Sequence, residues 1–377
     1  MTTQQQKPPV LWLNVAVFSV TLLVAIIGVP LYAYQYGFDW TQILMLVVAF
    51  SFCGMSITAG YHRLWSHKTY QANALLRFIF AIGGAFALQN SILHWSSDHR
   101  IHHRHVDNND KDPYSAKKGF FYSHIGWMLR DYQASRYHDY DNCRDLQKDK
   151  IVMWQHKYYL LLAIGTNFGI PLAFGLIHGD IWGALLLVGF LRLVLSHHTT
   201  FFINSLAHIW GSQPYTDRNT ARDNGFLAFL TFGEGYHNYH HIFENDYRNG
   251  ICWWQFDPTK WLIKVCSWIG WTRNLKVTPA DRIEKTKAKM QFKRIQQQLS
   301  KMPNNVARLT QLQQEYEALI AKISDYYQAK KRLLDMEKQK IADSYDNFEF
   351  IQQYKSMQAR LEQQRRAWKG LMQQYTT

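Results

Sequence analysis

The distribution of charge along the first 60 residues is the feature that most constrains this chain. From Pro8 through Gly60 there is no Lys or Arg, and Asp39 is the only acidic residue. The apolar run Val10–Ala33 is long enough to cross a bilayer, which takes about 20 residues, and the run Trp40–Gly60 follows after a short link. We therefore predict two membrane-spanning helices joined by a tight turn.

The same pattern returns in the middle of the chain. Tyr158–Leu191 carries one charge, Asp180, which divides the stretch into predicted spans at about Tyr158–Ile177 and Ile181–Ile203. Another apolar stretch, Ala74–Trp95, contains Arg77 and several amides, so we interpret it as one amphipathic helix lying at the membrane surface. The predicted fold is an all-α integral membrane protein with four spans in residues 10–280.

Basic residues predict how these spans are oriented. Both hairpin turns lack Lys and Arg, whereas residues 61–157 and 216–377 are rich in them, so these segments, the N-terminal residues 1–9 and the C-terminus are expected on the cytoplasmic side. The net charge of +14 favours contact with anionic membrane lipid. An anionic substrate head group or an acidic redox partner is the alternative, and nucleic acid is not expected. The four cysteines form no CxxC pair, which argues against a disulfide framework or an iron–sulfur cluster.

Nine of the 17 histidines fall into four short segments. These segments are His62-Arg-Leu-Trp-Ser-His67, His99-Arg-Ile-His102-His103, Asn204-Ser-Leu-Ala-His208 and His237-Asn-Tyr-His240-His241. Residues i, i+3 and i+4 share one face of an α-helix, so each HxxHH segment is expected to aim three imidazoles in one direction, and Asn204 to share a face with His208. The five-residue step from His62 to His67 does not suit a regular helix and predicts a helix end that unwinds.

Metal ligation explains this pattern better than ordinary surface polarity. A single histidine at a membrane boundary is usually a polar interface residue, but here three share one face in two separate segments. The remaining eight are expected to form hydrogen bonds: His94, His105, His124, His138, His156, His178, His197 and His198. Nine ligands exceed the needs of one metal and suit two metals with four or five ligands each. Imidazole binds iron, copper and zinc alike, although oxygen chemistry on an unreactive methylene group requires iron.

Four ordered motifs resemble those of the membrane fatty-acid desaturases of the stearoyl-CoA (delta-9) type, and the bacterial acyl-CoA desaturases look most alike. The motifs are GYHRLWSH (60–67), DHRIHH (98–103), NSLAHIWGSQPY (204–215) and GEGYHNYHHIFENDYR (233–248). The likeness covers about residues 10–275 and does not include the C-terminal part.

The resemblance implies a centre of two Fe²⁺ ions in a bacterial inner membrane, with the active site in the cytoplasm. One iron takes His62, His67, His99, His103 and His240. The other takes His102, His208, His237 and His241, with Asn204 contacting it through water. The implied reaction uses dioxygen to remove two hydrogens from a saturated long-chain acyl-CoA, which leaves a cis double bond. The closed end of the acyl tunnel is expected near Leu46 and Phe50 of the second span.

Two positions depart from the family pattern. Glu244 stands where a proline usually follows the Phe of HHxF, and we expect this to affect only a turn. Ser97 replaces a basic residue that animal members carry near the thioester carrier, which weakens the inference of coenzyme A. The chain has no GxGxxG after a strand, no CxxC and no HPGG segment, so we expect an external electron donor of the ferredoxin or flavin reductase type.

Residues 281–377 are polar and helix-favouring, and contain no histidine. Predicted helices cover about Arg282–Lys301, Ala307–Ser344 and Phe348–Gln374, with a break at Pro303-Asn304-Asn305. Apolar residues recur every three or four positions from Leu309 to Ile323, which predicts a helical extension that packs on itself as an antiparallel hairpin. Self-association and docking of the electron donor are the alternatives.

Two other functions compete with desaturation. A membrane di-iron hydroxylase has the same metals, but the motif spacing and the NSLAH element argue against it. A histidine-rich metal transporter places polar residues inside its spans, whereas we expect these spans to be nearly free of them before Asn204.

Overall fold

The computed structural model describes residues 8–132, 139–338 and 345–376. The chain forms two compact units: one comprises Met1–Gln213 with Arg218–Val277, and the other comprises Pro214–Asp217 with Thr278–Thr377. The division falls after Val277, three residues before the boundary expected from the sequence.

Among the described residues, four helices are long and apolar enough to cross a membrane, which confirms the predicted number. Span 1 is Trp12–Gln35, span 2 is Trp40–Ser66, span 3 is Tyr159–His178 and span 4 is Ile181–His208. The two hairpin turns are tied together, because Asp180 accepts hydrogen bonds of 2.7 Å from the Tyr32 hydroxyl and of 2.7 Å from the Gln42 amide. The charges that mark the turns in the sequence therefore also fix the far end of the bundle.

Span 2 differs from its prediction at the end that carries histidines. It does not unwind after Gly60; residues Ser56–Ser66 continue as a π-helix, in which backbone hydrogen bonds join residues five apart. The amide of His67 donates to the carbonyl of His62 at 3.1 Å. Residues five apart point in different directions on an α-helix but in similar directions on a π-helix. The ring centres of His62 and His67 therefore lie 4.9 Å apart.

Span 4 contains a buried charge that the sequence argument passed over. The side chain of Arg192 is fully buried, at 0% exposure. It donates to the carbonyls of Val188 (2.9 Å) and Phe86 (2.8 Å) and to the amide oxygen of Asn167 (2.8 Å). Its guanidinium also lies 3.8 Å from the centre of the Phe86 ring. The spans are therefore less free of polar groups than expected, and these neutral contacts offset the cost of burying the charge.

The end of span 4 also departs from a regular α-helix. The α-helical part Arg192–Asn204 stops at Ser205, and a single 3₁₀ turn, Leu206–His208, follows. Asn204 and His208 consequently do not lie on one continuous α-helical face, contrary to the expectation from their i, i+4 spacing.

The predicted surface helix Ala74–Trp95 is in fact two helices. The first, Ala74–Phe86, has 13 residues and is too short to cross a bilayer. The second, Ile92–His105, begins where the Ser91 side chain accepts a hydrogen bond from the backbone of His94. Between them Leu88 and Asn90 adopt positive φ angles of 51° and 72°, which ends the first helix and redirects the chain. The second helix is the one that carries the HxxHH motif.

Short helices complete the first unit. They are Ala116–Lys118, Phe120–His124, Gly126–Met128, Asp141–Cys143, Arg144–Gln147, Lys150–Lys157, Gly225–Leu230, His237–Ile242 and Pro258–Trp268. Two short strands, Gln71–Ala72 and Thr272–Arg273, pair antiparallel. The described part of the chain is thus mostly helical with almost no sheet, as predicted.

The second unit consists of the helices Ala280–Leu299, Val306–Lys338 and Tyr345–Thr376. All three contribute to one apolar core, for example through Leu299, Leu312 and Leu361. The three helices predicted from the sequence are present, and they share one core as a three-helix arrangement where an antiparallel hairpin was expected. The predicted end of the middle helix, Ser344, lies outside the described residues.

Candidate metal centre

The nine predicted histidines converge into two groups. The first group, cluster A, contains His62, His67, His99, His103 and His240. The second group, cluster B, contains His102, His208, His237 and His241. Within each cluster the candidate ligand atoms all lie within 4.8 Å of one another. This division coincides with the histidine ligand sets that the family resemblance implies.

In cluster A the Nε2 atoms face a common point. His62 and His240 approach to 3.0 Å, His240 and His103 to 2.9 Å, and His67 and His99 to 2.7 Å, each measured between Nε2 atoms. All five residues are buried or half-buried. Three of the four sequence segments supply this cluster, so it forms only when the chain is folded.

Cluster B is arranged in the same way from four residues. The Nε2 atom of His237 lies 3.1 Å from that of His208 and 3.1 Å from that of His241. His102 completes the group, with 3.4 Å between its Nε2 atom and that of His241.

Each HxxHH helix serves both clusters, which corrects the expectation that its three imidazoles point one way. In Ile92–His105 the pair His99 and His103 belongs to cluster A, whereas His102 belongs to cluster B. In the helix His237–Ile242 the assignment is reversed: the i, i+4 pair is in cluster B and His240 is in cluster A. The i, i+4 residues share a metal position, and the i+3 residue is rotated toward the other one.

Acidic and hydroxyl groups hold the outer ring nitrogens of several ligands. Oxygens of Glu234, Asp112 and Glu244 lie 2.9, 2.9 and 3.1 Å from Nδ1 of His62, His102 and His103, respectively. The hydroxyl of Thr220 lies 2.9 Å from Nδ1 of His208 and itself donates to Asp107 at 2.6 Å. Such contacts fix the ring orientation and leave Nε2 as the metal-binding atom. Sequence reasoning missed Asp112 and Thr220, since no spacing rule links them to the motifs.

A buried ion network supports the histidine of span 2. The guanidinium of Arg63, 1% exposed, lies 2.8 Å from Glu234 and 3.0 Å from Asp257. Glu234 also accepts a 2.7 Å hydrogen bond from the side chain of Asn249. Burial by itself raises the pKa of Glu234, but His62 and Arg63 lower this pKa to about 2. The carboxylate is therefore ionised and can orient His62.

The imidazoles have the protonation state that metal binding requires. Burial, reinforced by the neighbouring imidazoles, holds the pKa of His99, His240 and His241 well below its ordinary value. Burial also lowers the pKa of His103 to about 4, although Glu244 opposes the shift. These rings are neutral near pH 7 and offer lone pairs at Nε2.

The donor set fits two transition-metal ions. Both clusters consist of imidazoles alone, a set that suits iron, copper or zinc and not the oxygen-seeking Ca²⁺ or Mg²⁺. The five donors of cluster A and the four of cluster B each suffice for one ion. We conclude that the residues present can form a two-metal centre.

A cavity of about 900 Å³ leads to both clusters. Its wall near the centre includes His62 and His99 of cluster A and His102 and His237 of cluster B, and Asn204 lies beside them. The wall continues between spans 1, 3 and 4 and is overwhelmingly apolar, with Val20, Phe168 and Leu185 among its residues. Asn204 and Leu185 are about 28 Å apart along span 4, so the cavity can accept a long alkyl chain.

Leu46 and Phe50, the expected tunnel end, are not on the wall of this cavity. Phe50 packs against Phe232, with 5.3 Å between ring centres, and Leu46 packs against the apolar core. Their assignment to the tunnel floor stays a prediction. Ser97 is 1% exposed and donates a hydrogen bond of 2.8 Å to the Asn142 side chain, so it does not face solvent.

Membrane-spanning helices around an apolar cavity, with two buried histidine clusters at its end, define a class of membrane protein that can bind metal and accept long apolar molecules. Comparison with known proteins identifies the family. The family model for fatty acid desaturase matches residues 38–272, and the chain belongs to this family.

Individual relatives support the assignment. The chain is 44% identical over 275 residues to the probable acyl-CoA desaturase of Schizosaccharomyces pombe, a match that covers 73% of this chain and 56% of that protein. The chain thus spans about half the length of that relative. It is 36% identical to stearoyl-CoA desaturase 5 of Bos taurus, covering 75% of this chain and 84% of the relative. It is 35% identical to the sn-2 palmitoyl-lipid 9-desaturase of Nostoc, with coverages of 72% and 93%.

Glu244 does more than alter a turn, because its carboxylate contacts His103 of cluster A. We expect Glu244→Gln to lower the affinity of cluster A for metal about tenfold, which is the smaller end of the usual effect of such partners. The effect is expected to be small because the Glu244 side chain is 46% exposed. Metal retained during titration with a chelator measures this. Asp141→Asn, which removes an exposed carboxylate, is the control; equal metal retention in the two variants contradicts a role for Glu244.

Proposed function

We propose that this protein is an acyl-CoA desaturase that uses dioxygen to introduce a cis double bond, at the delta-9 position, into a saturated long-chain acyl group. The observation that carries the proposal is the apolar cavity whose wall includes histidines of both clusters. An alkyl chain in this cavity brings a methylene group next to both metal positions.

The names of the relatives agree with this proposal. The fission yeast relative is named as a probable acyl-CoA desaturase and the bovine relative as a stearoyl-CoA desaturase. The family membership also favours iron over the other metals that imidazole binds. Two iron ions, when bound, would supply the redox chemistry that reduces dioxygen to two water molecules with two substrate hydrogens, two electrons from an external donor and two protons. A ferredoxin or a flavin reductase is the proposed donor.

The residues of the chain perform the remaining tasks. The cavity wall between spans 1, 3 and 4 removes the alkyl chain from water and limits its sliding, which holds one pair of carbons at the centre. Glu234, Asp112 and Glu244 orient the imidazoles. Asn204, on the cavity wall, is the residue proposed to hold a water molecule beside cluster B.

The proposed location is a bacterial plasma membrane, with the histidine clusters on the cytoplasmic side. The positive-inside rule supports this orientation, because the basic segment 61–157 carries histidines of both clusters.

Expression in a desaturase-deficient host tests the function directly. Gas chromatography–mass spectrometry of fatty-acid methyl esters should reveal cis monounsaturated chains that are absent from cells expressing His99→Ala. Hydroxylated products in their place would identify a hydroxylase. Metal uptake into vesicles without oxygen consumption would identify a transporter.

A membrane lipid in place of coenzyme A as the acyl carrier is a second candidate. Leu160, Ile164 and Phe168 of span 3 line the cavity and are 70%, 53% and 59% exposed. Entry from the bilayer past these side chains is the route proposed for a lipid acyl chain. The purified protein, supplied with an electron donor, should desaturate stearoyl-CoA; activity only on phospholipid acyl chains would select the second candidate.

Gly189 offers a test of chain-length selection. It lies on the cavity wall in span 4, and a Cβ atom there would meet only the Pro171 ring, at 3.8 Å, so a larger side chain fits without a clash. We expect Gly189→Leu to fill the far part of the cavity and to lower activity on longer relative to shorter acyl chains about tenfold. Competition assays with mixed substrates measure this ratio.

The control for Gly189 is Gly165→Leu in span 3. A Cβ atom at Gly165 has no neighbour within 4 Å, and this residue is not on the cavity wall. An unchanged chain-length ratio in Gly189→Leu would show that the acyl chain occupies another space.

A further inference from the structure

Large aromatic side chains are exposed in the segment from Gly225 to Ile269, which lies outside the four spans. Trp253 and Trp268 are 86% and 72% exposed. Further exposed members are Phe226, Phe229, Trp254, Trp261, Val265 and Ile269. A water-exposed surface seldom carries so many large apolar groups together unless it contacts a partner or a membrane.

These side chains form a connected surface. The rings of Phe229 and Phe256 are 5.0 Å apart, and those of Phe256 and Trp261 are 5.6 Å apart, measured between centres. Phe256 thereby links the helix Gly225–Leu230 to the helix Pro258–Trp268.

The helix Pro258–Trp268 divides its residues between two faces. Thr259, Ile263 and Cys266 are buried against the rest of the unit. Trp261, Val265 and Trp268 follow at i, i+4 and i+7 and are exposed on the opposite face. A soluble helix carries polar groups on its outer face, whereas this outer face is mainly aromatic and aliphatic.

The depth of the segment along span 2 identifies what covers this face. Phe232 packs on Phe50, and the hydroxyl of Thr259 lies 2.7 Å from that of Thr58. At a rise of 1.5 Å per residue from Trp40, Phe50 and Thr58 lie about 15 and 27 Å along span 2. Both therefore lie inside a hydrocarbon layer of about 30 Å. The segment therefore reaches the level of the bilayer at two points.

We propose that residues 225–269 form a monotopic membrane element whose aromatic face is embedded in the leaflet next to the histidine clusters. Tryptophan is suited to this position, because its ring is apolar while its N–H can bond to head groups or water. Exposed Lys264 on the same helix is placed to contact lipid phosphates. This element brackets the helix His237–Ile242, so the bilayer holds both flanks of a segment that supplies three candidate metal ligands.

Site-specific fluorescence tests this proposal with the full chain in nanodiscs. A Cys252→Ser background removes the one half-buried thiol, and Cys53, Cys143 and Cys266 are buried and protected from labelling. A single cysteine introduced as Trp253→Cys or Trp268→Cys is labelled with bimane. The matched control is Asp141→Cys, because the Asp141 side chain is 62% exposed in an ion pair with Arg144.

We expect brominated phosphatidylcholine to quench the labels at positions 253 and 268 at least threefold more strongly than the label at 141. Aqueous iodide should quench them at least threefold more weakly. Iodide quenching as strong as at position 141 would overturn the proposal. Protection from iodide without quenching by the brominated lipid would also overturn it, since a second copy of the chain or another protein segment would then cover the face.

Discussion

Replacement of His99 or His241 by alanine is expected to abolish turnover while the protein still inserts into the membrane. Substitution of an outer-shell partner typically lowers activity by about 10- to 100-fold. The loss of turnover should be larger here, because each change removes a direct metal donor. Cluster B has four donors and cluster A has five, so His241→Ala should lose one of the two metal ions, whereas His99→Ala should retain more metal. Metal analysis and oxygen-dependent turnover of the purified variants measure both effects.

His178→Ala is the matched control for the ligand variants. His178 lies at the far end of span 3, where its Nε2 atom is 2.7 Å from Asp39, and it belongs to neither cluster. It should keep full metal content and activity. Retained turnover in His99→Ala or His241→Ala would show that the ligand assignment is wrong.

Arg63→Met is expected to lower the free energy of unfolding by about 3–5 kcal/mol. The substitution leaves Glu234 and Asp257 buried without their positive partner, and both carboxylates lie within 3.0 Å of the guanidinium in the native protein. His62 should also lose its fixed orientation, because Glu234 is its partner at Nδ1. Thermal unfolding in detergent, together with metal content, measures the two consequences.

The control for this network is Arg144→Met, which breaks the exposed ion pair with Asp141. An exposed pair in water contributes little, so the melting temperature should not change. Arg63→Lys should recover part of the lost stability, since it restores the charge without the two-carboxylate geometry. A melting temperature of Arg63→Met equal to that of the wild type would mean that this network does not stabilise the fold.

The expected losses in the histidine variants and in Arg63→Met depend on residues that are not equally recognisable from the sequence. The nine histidines were recognisable from their clustering, whereas Glu234, Asp257 and Asp112 carry no local signal and are common residue types. Glu244 was noticed only as a departure from the family pattern, and its contact with His103 became visible in the structure. Arg192 was overlooked because a single charge hardly changes the mean hydropathy of a long apolar stretch, which still predicts a membrane span.

The sequence by itself determined the four spans, the histidine segments and the helical character of the C-terminal part. These properties are local: the length of an apolar run and the spacing of side chains follow from the geometry of a single helix. The division of the ligands came from the family resemblance and not from spacing, because i+3 and i+4 residues look alike on a single helix.

Only the tertiary structure decided how His62 and His67 come together and which carboxylates stand behind the ligands. The close approach of the helix Ala74–Phe86 illustrates the reason. A Cβ atom at Gly84 would overlap the ring of Tyr61, so this glycine lets the helix pack directly on the π-helical end of span 2. The π-helical hydrogen bonds, the ion network and the cavity all depend on contacts between segments far apart in sequence. Such contacts are set by packing, which no local pattern records.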